Sequence, residues 1–161
     1  MELKFTVQMK IQKPVSEVFD AVYNPKKLCA YFTAESEGPL DEGKTVLWTH
    51  ASGECSTVSM PVKVQKMVPN KLIRFSWAAS EGYYDAKTGQ FPHSAGYDNL
   101  VEMAFEELKP GETLVKITEG NWRPNEDGLQ SSYQNCQGWA GMVACMKAYL
   151  EYGINLRSGA Y

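Results

Sequence analysis

Residues 129–156 constrain the fold most, because they read as one long helix with almost no charge on it. Only Lys147 and Glu151 are charged in that stretch. With Trp139 set at zero, Met142, Val143, Met146, Leu150, Gly153 and Ile154 fall within roughly 60° of it on the helical wheel. Ser132, Asn135 and Cys136 share that face one or two turns earlier. The far face carries Gln137, Gly141, Ala144, Ala148 and Tyr152. A helix exposed along one whole side normally carries more charge, so this one requires a broad apolar partner.

The rest of the chain supplies that partner as strands. Residues 2–12 alternate, with Leu3, Phe5, Val7, Met9 and Ile11 on one side and Lys4, Thr6, Gln8, Lys10 and Gln12 on the other. That is the pattern of a half-buried strand. Pro14 ends it. Ser16 is the expected cap of a short helix with Val18, Phe19 and Val22, closed by Asn24-Pro25. A second helical piece is expected over Lys26 to Tyr31. Strands are predicted over 44–50, 57–67, 71–78, 99–108 and 113–119, with a weaker one near 33–37. Pro61 marks an edge or a bulge. Val68-Pro69-Asn70 and Lys109-Pro110-Gly111-Glu112 are turn sequences.

The order is strand, two short helices, antiparallel strands, then one long helix. Only the last element is large enough to cover the apolar face of a curved sheet. The expected fold is therefore α+β, a helix-grip, with a curved antiparallel β-sheet wrapped around the long C-terminal helix. The 161 residues fit a single domain over 1–161.

The residues also carry a resemblance. Lys13-Pro14-Val15-Ser16-Glu17-Val18-Phe19 resembles the opening of the START-like (SRPBCC) superfamily. Lys66 to Trp77 looks like its central turn and strand. Thr113 to Trp122, together with Gly138-Trp139, resembles the branch of the activator of heat-shock-protein ATPase homologues. The resemblance implies a cavity between sheet and long helix. It does not imply one activity, since carriers, sensors, cyclases, hydroxylase subunits and a co-chaperone domain share the fold.

Other features narrow the classes. The net charge is −3 and no basic stripe occurs, so no nucleic-acid partner is expected. No apolar run approaches the roughly 18 residues of a membrane span, and the opening Met1-Glu2-Leu3-Lys4-Phe5 does not read as a secretory leader. No membrane partner and a cytoplasmic location are expected. Cys29, Cys55, Cys136 and Cys145 form no CxxC and read as reduced thiols. No metal, cofactor or catalytic motif is predicted; His50 and His93 neighbour no nucleophile signature.

The expected site is a pocket for a small hydrophobic or aromatic molecule. Trp139, Met142 and Met146 supply the helix side. Trp48, Phe75, Trp77, Val101, Met103 and Phe105 supply the sheet side by period-two alternation. Trp122 is included from the end of its strand. Plain core packing is the alternative for each residue taken alone. Glu119 falls in phase with Val115 and Ile117 and should point inward. It is read either as a polar anchor or general base, or as a rim carboxylate paired with Arg123. Ser132 and Asn135 are inward polar groups, as ligand contacts or as caps. The segment 79–97, with Tyr83, Tyr84, Phe91, His93 and Tyr97, is read as a lid, an extra hairpin around Lys87-Thr88-Gly89, or an oligomer contact. A homodimer through Gly141, Ala144, Ala148 and Tyr152, a heat-shock chaperone as partner, and an enzyme using Glu119 or His93 are the competing readings.

Overall fold

Six segments of alternating polarity become strands whose apolar sides form one concave face, and the two-residue strand Glu35–Ser36 joins at an edge. The computed structural model describes residues 1–52, 56–81 and 94–158. The strands are β1 (Leu3–Ile11), β2 (Glu35–Ser36), β3 (Thr45–Ser52), β4 (Ser56–Val68), β5 (Leu72–Ser80), β6 (Ser94–Lys109) and β7 (Glu112–Trp122). They form one antiparallel sheet in the order β1-β7-β6-β5-β4-β3-β2. The sheet curls but stays open, with β1 and β2 at its edges. Register keeps the apolar sets in line. Val7 faces Ile117, Met103 faces Ile117 from the other side, and Phe75 faces Val101. Pro61 sits where the missing N–H does least harm. It pairs with Leu47 of β3, while pairing with β5 begins only at Lys63.

Helix ends differ from expectation for local reasons. The first helix, α1, spans Val15–Tyr23. Its cap is Pro14, whose carbonyl accepts from the N–H groups of Glu17 and Val18 at 3.0 and 3.1 Å. Ser16 therefore lies inside the first turn and caps nothing. The second helix, α2, is the single turn Pro25–Leu28, capped by Asn24 accepting from the Lys26 N–H at 3.0 Å.

The long helix α3 runs Glu126–Tyr152, starting earlier than predicted because Asn125 caps it by accepting from the Gly128 N–H at 2.8 Å. Gly128 has no substitute there, since a Cβ would stand 2.1 Å from the Arg123 carbonyl oxygen. The helix stops at Gly153, which takes a left-handed φ of 66°. Ile154, predicted on the inner face, consequently falls beyond the helix and is 54% exposed.

The helix α3 lies across the concave face, but not evenly. Its backbone comes nearest β1 and β7, and is farther from β3, β4 and β5. Two bonds fix its C-terminal half to the end of β1. Lys147 donates to the Lys10 carbonyl at 2.9 Å, and the Gln12 N–H donates to Glu151 at 2.7 Å. Ile11, Val115, Ile117, Val143 and Met146 are buried together on this side.

Candidate functional site

Where α3 parts from the sheet, large flat side chains take over from branched ones. Trp77 of β5 and Trp139 of α3 stack with centroids 5.4 Å apart at 19°. Phe32, in the turn after α2, stacks on Trp139 at 5.7 Å and 25°. Trp48 of β3 meets Trp77, Phe75 and Phe32 edge-on. A cavity of about 300 Å³ lies against this wall. Its buried floor is Tyr31, Trp77, Trp139, Met142 and Cys145. Half-exposed residues, among them His50, Met60, Gln134 and Arg157, make the rim. A register irregularity between Ala78 and Ser80 interrupts the alternation of β5, and both residues line the cavity.

The two tryptophans are held by a carboxylate. Glu119 of β7 is fully buried. Its Oε1 accepts from Trp77 Nε1 at 2.9 Å and Asn99 Nδ2 at 3.1 Å. Its Oε2 accepts from Trp139 Nε1 at 2.7 Å, and Asn135 Nδ2 reaches both oxygens at 3.1 and 3.2 Å. All four partners are neutral donors. Burial raises the Glu119 pKa above the ordinary carboxylate range, and the four donors offset part of that rise. Because both indole N–H groups point at Glu119, neither is available to the cavity. The tryptophans present ring surface to it instead.

The rim has its own electrostatics. The His50 pKa is lowered to about 4, first by burial and then by the Arg157 guanidinium. It is therefore a neutral imidazole near pH 7. Burial pushes the Cys145 thiol up, and Arg157 opposes that shift.

Of the residues expected in the pocket, Trp77, Asn135, Trp139 and Met142 line the cavity. Trp48, Phe75, Met103 and Met146 are buried in the core and do not. Glu119 stands behind the wall rather than in it. It does not pair with Arg123, whose guanidinium bonds the Ala95 carbonyl at 2.8 Å, lies 3.5 Å from Glu81 and covers the Tyr97 ring at 4.6 Å. The rim reading of Glu119 is thus corrected: an inward residue on a central strand, covered by α3, has no route to solvent. Trp122 is buried at the end of β7, away from the cavity. Ser132 caps nothing and donates to the Leu129 carbonyl at 2.7 Å.

The structure adds Tyr31, Phe32, His50, Met60, Cys145 and Arg157. His50 and Met60 are in phase with Trp48 and Val62, so the alternation rule finds both once it is applied past the strand centres. Tyr31, Phe32 and Arg157 lie in turns, where no period exists to read. Tyr83, Tyr84, Phe91, His93 and Lys87-Thr88-Gly89 lie outside the described residues. Tyr97 belongs to β6, and its hydroxyl donates to Glu81 at 2.7 Å.

Residues 12–151 match the model of a family described as Activator of Hsp90 ATPase homolog 1-like protein. A crystal structure of a protein from Staphylococcus saprophyticus superposes with a TM-score of 0.72 at 22% identity, covering 96% of each chain. The solution structure of the Aha1 dimer from Colwellia psychrerythraea gives 0.69 at 20% identity, over 94% of this chain and 98% of that one. A protein of the dynemicin biosynthetic locus gives 0.72 at 19% identity over 94% of this chain, which spans about half (48%) of it. At these identities the likeness is one of fold. No curated protein matches the chain.

Proposed function

The chain belongs to the Activator of Hsp90 ATPase homolog 1-like family, and from that premise we propose that it binds one small apolar or aromatic molecule between α3 and strands β3–β5. The observation that carries this reading is the cavity of about 300 Å³ faced by the Trp77–Trp139 stack. That volume stands at the lower end of the range of small-molecule sites and suits a ligand of one or two rings. The wall is pre-built, because Glu119 fixes both indoles without a ligand. Pre-organisation of this kind lowers the entropy lost on binding. Asn135 and Gln134 offer polar contacts among apolar ones, the usual mix of an orienting site.

The test is a panel of neutral one- and two-ring aromatics followed by tryptophan fluorescence and amide chemical shifts. Saturable shifts on Trp139, Met142 and Trp77 are expected, and Ala78→Phe, which puts a ring into the cavity, should abolish them. Shifts confined to the outer sheet face, or shifts that survive Ala78→Phe, would remove the proposal.

A second reading comes from the family's description: activation of a heat-shock ATPase. It predicts stimulation of the host chaperone's ATPase by the purified chain, at a level that Ala78→Phe leaves unchanged.

A further inference from the structure

Among the described residues that line the cavity, one carries a formal charge, Arg157, and it lies in the turn after α3. After Gly153 the chain leaves α3, with the Ile154 N–H closing back on the Ala148 carbonyl at 3.2 Å. Asn155 then accepts from the Ser158 N–H at 3.3 Å. Through this turn Ile154 and Leu156 stay exposed, at 54% and 49%. Among residues 153–158 only Arg157 is turned in, half-buried, and it lines the cavity. Apolar burial therefore does not hold the tail there.

Among the described residues the guanidinium has no counterion, and every ion pair involves other side chains. Among the described residues no carboxylate lines the cavity, and the other polar lining groups (Tyr31, His50, Ser80, Gln134, Asn135, Cys145) are neutral ones. The Glu119 carboxyl is no partner for it, since its oxygens are taken by four neutral donors behind the Trp77–Trp139 wall. A half-buried arginine lining an apolar space, with five donors and no acceptor among the described residues, is a site for an oxyanion.

We infer that the ligand is a small aromatic or apolar monocarboxylate, or a monoanion of like shape, with its ring on the Trp77–Trp139 wall and its anionic group on Arg157. The inference rests on the cavity reading above and adds the charge and the orientation of the occupant. The indole N–H groups at the tryptophan end are taken by Glu119 and offer an anion no donor, and Arg157 attracts it at the rim, so both features favour the same orientation. The neutral state of His50 fits this assignment, since the imidazole adds neither a second cation nor a competing charge.

Three probes of one shape test it: naphthoic acid, its neutral amide, and naphthylmethylamine, titrated calorimetrically into the full chain. The acid should bind about tenfold tighter than the amide, and the amine should bind weakest. Arg157→Met keeps the apolar stem and sits on an exposed tail. It should bring the acid down to the amide while leaving the amide unchanged. Raising the salt should narrow the acid–amide gap, because Arg157 is only half-buried. Equal binding of acid and amide, tightest binding of the amine, or a preference for the acid that survives Arg157→Met would overturn the inference while leaving the cavity reading intact. If none of the three binds, both fall together.

Discussion

The two flanks of α3 differ in how they meet the same sheet. Toward β1 and β7 the backbones come close, and Ile11, Val115, Ile117, Val143 and Met146 interlock with no exposed surface to speak of. Toward β3–β5 the helix stands off, and about 300 Å³ is left between it and the strands. Branched and flexible aliphatic side chains close a gap, because they interdigitate at crystal-like density. Flat rings held in fixed planes cannot. Trp77 and Trp139 are each fixed by an N–H to Glu119, so neither can turn to fill the space. Small residues complete the effect: Ala78 lines the cavity, as does Gly138, where a Cβ would meet nothing within 4 Å. The lesson is that the void is maintained by a polar device in the core rather than by weak packing.

Removing that device should have the largest effect on stability. Glu119→Gln keeps the shape but turns an amide NH₂ toward four N–H donors, so at least one donor pair must face off unsatisfied. We expect a loss of about 3–4 kcal/mol by chemical denaturation, in the range for breaking a buried charged network. The near-ultraviolet circular dichroism of the tryptophans should change with it. A Glu119→Gln variant of native stability and native spectrum would show that the carboxylate does not hold the wall.

The next contrast sets one flank against the other. Ile117→Ala on the closed flank should cost about 3 kcal/mol, since the side chain is fully buried and its neighbours cannot collapse into the hole. Met142→Ala removes a comparably buried side chain, but one that already borders open space. It should cost about 1–2 kcal/mol, because less new cavity is created than on the closed flank. Ligand binding should respond in reverse, weakened by Met142→Ala and untouched by Ile117→Ala. Equal losses of stability at the two positions would mean that the flanks are packed alike.

How far the sequence reached follows the same division. Periodic segments were legible: the strand alternation gave the sheet, and the Trp139–Met142–Met146 stripe gave the buried face of α3. Within that stripe, however, period alone does not separate Met142, which lines the cavity, from Met146, which is core. The difference is set by where the helix axis leaves the sheet, a distance no pattern of polarity encodes. The same holds for Phe75 and Trp77, neighbours on one strand face that divide between core and wall. Glu119 was legible as inward but not as buried, because its four donors come from β5, β6 and α3 and meet only in the fold. Turn residues were least legible. Phe32 completes the aromatic stack and Arg157 charges the rim, and both follow helix ends whose direction depends on capping geometry.

The smallest expected effect is a pH dependence that belongs to the open flank. His50 is neutral in the folded chain down to about pH 4, whereas an unfolded histidine gains its proton near 6.5. The unfolded state therefore binds the extra proton first as pH falls. Stability due to His50 is fully present above the unfolded pKa and is lost progressively between about pH 6.5 and 4. Because the ring is half-buried, a loss of about 1 kcal/mol between pH 7 and 5 is expected. Glu119 acts with the opposite sign. Its folded pKa is raised, so ionisation weakens the fold as pH rises above the unfolded carboxylate range. Comparing the chain with His50→Phe isolates the first effect. The variant should lose less stability between pH 7 and 5, and Arg157→Met, by removing the cation that helps keep His50 neutral, should shift the chain's own loss toward lower amplitude. Parallel pH profiles for all three proteins would mean that the imidazole is solvated like an ordinary surface histidine, and that the rim of the cavity is wetter than the closed flank by more than its geometry allows.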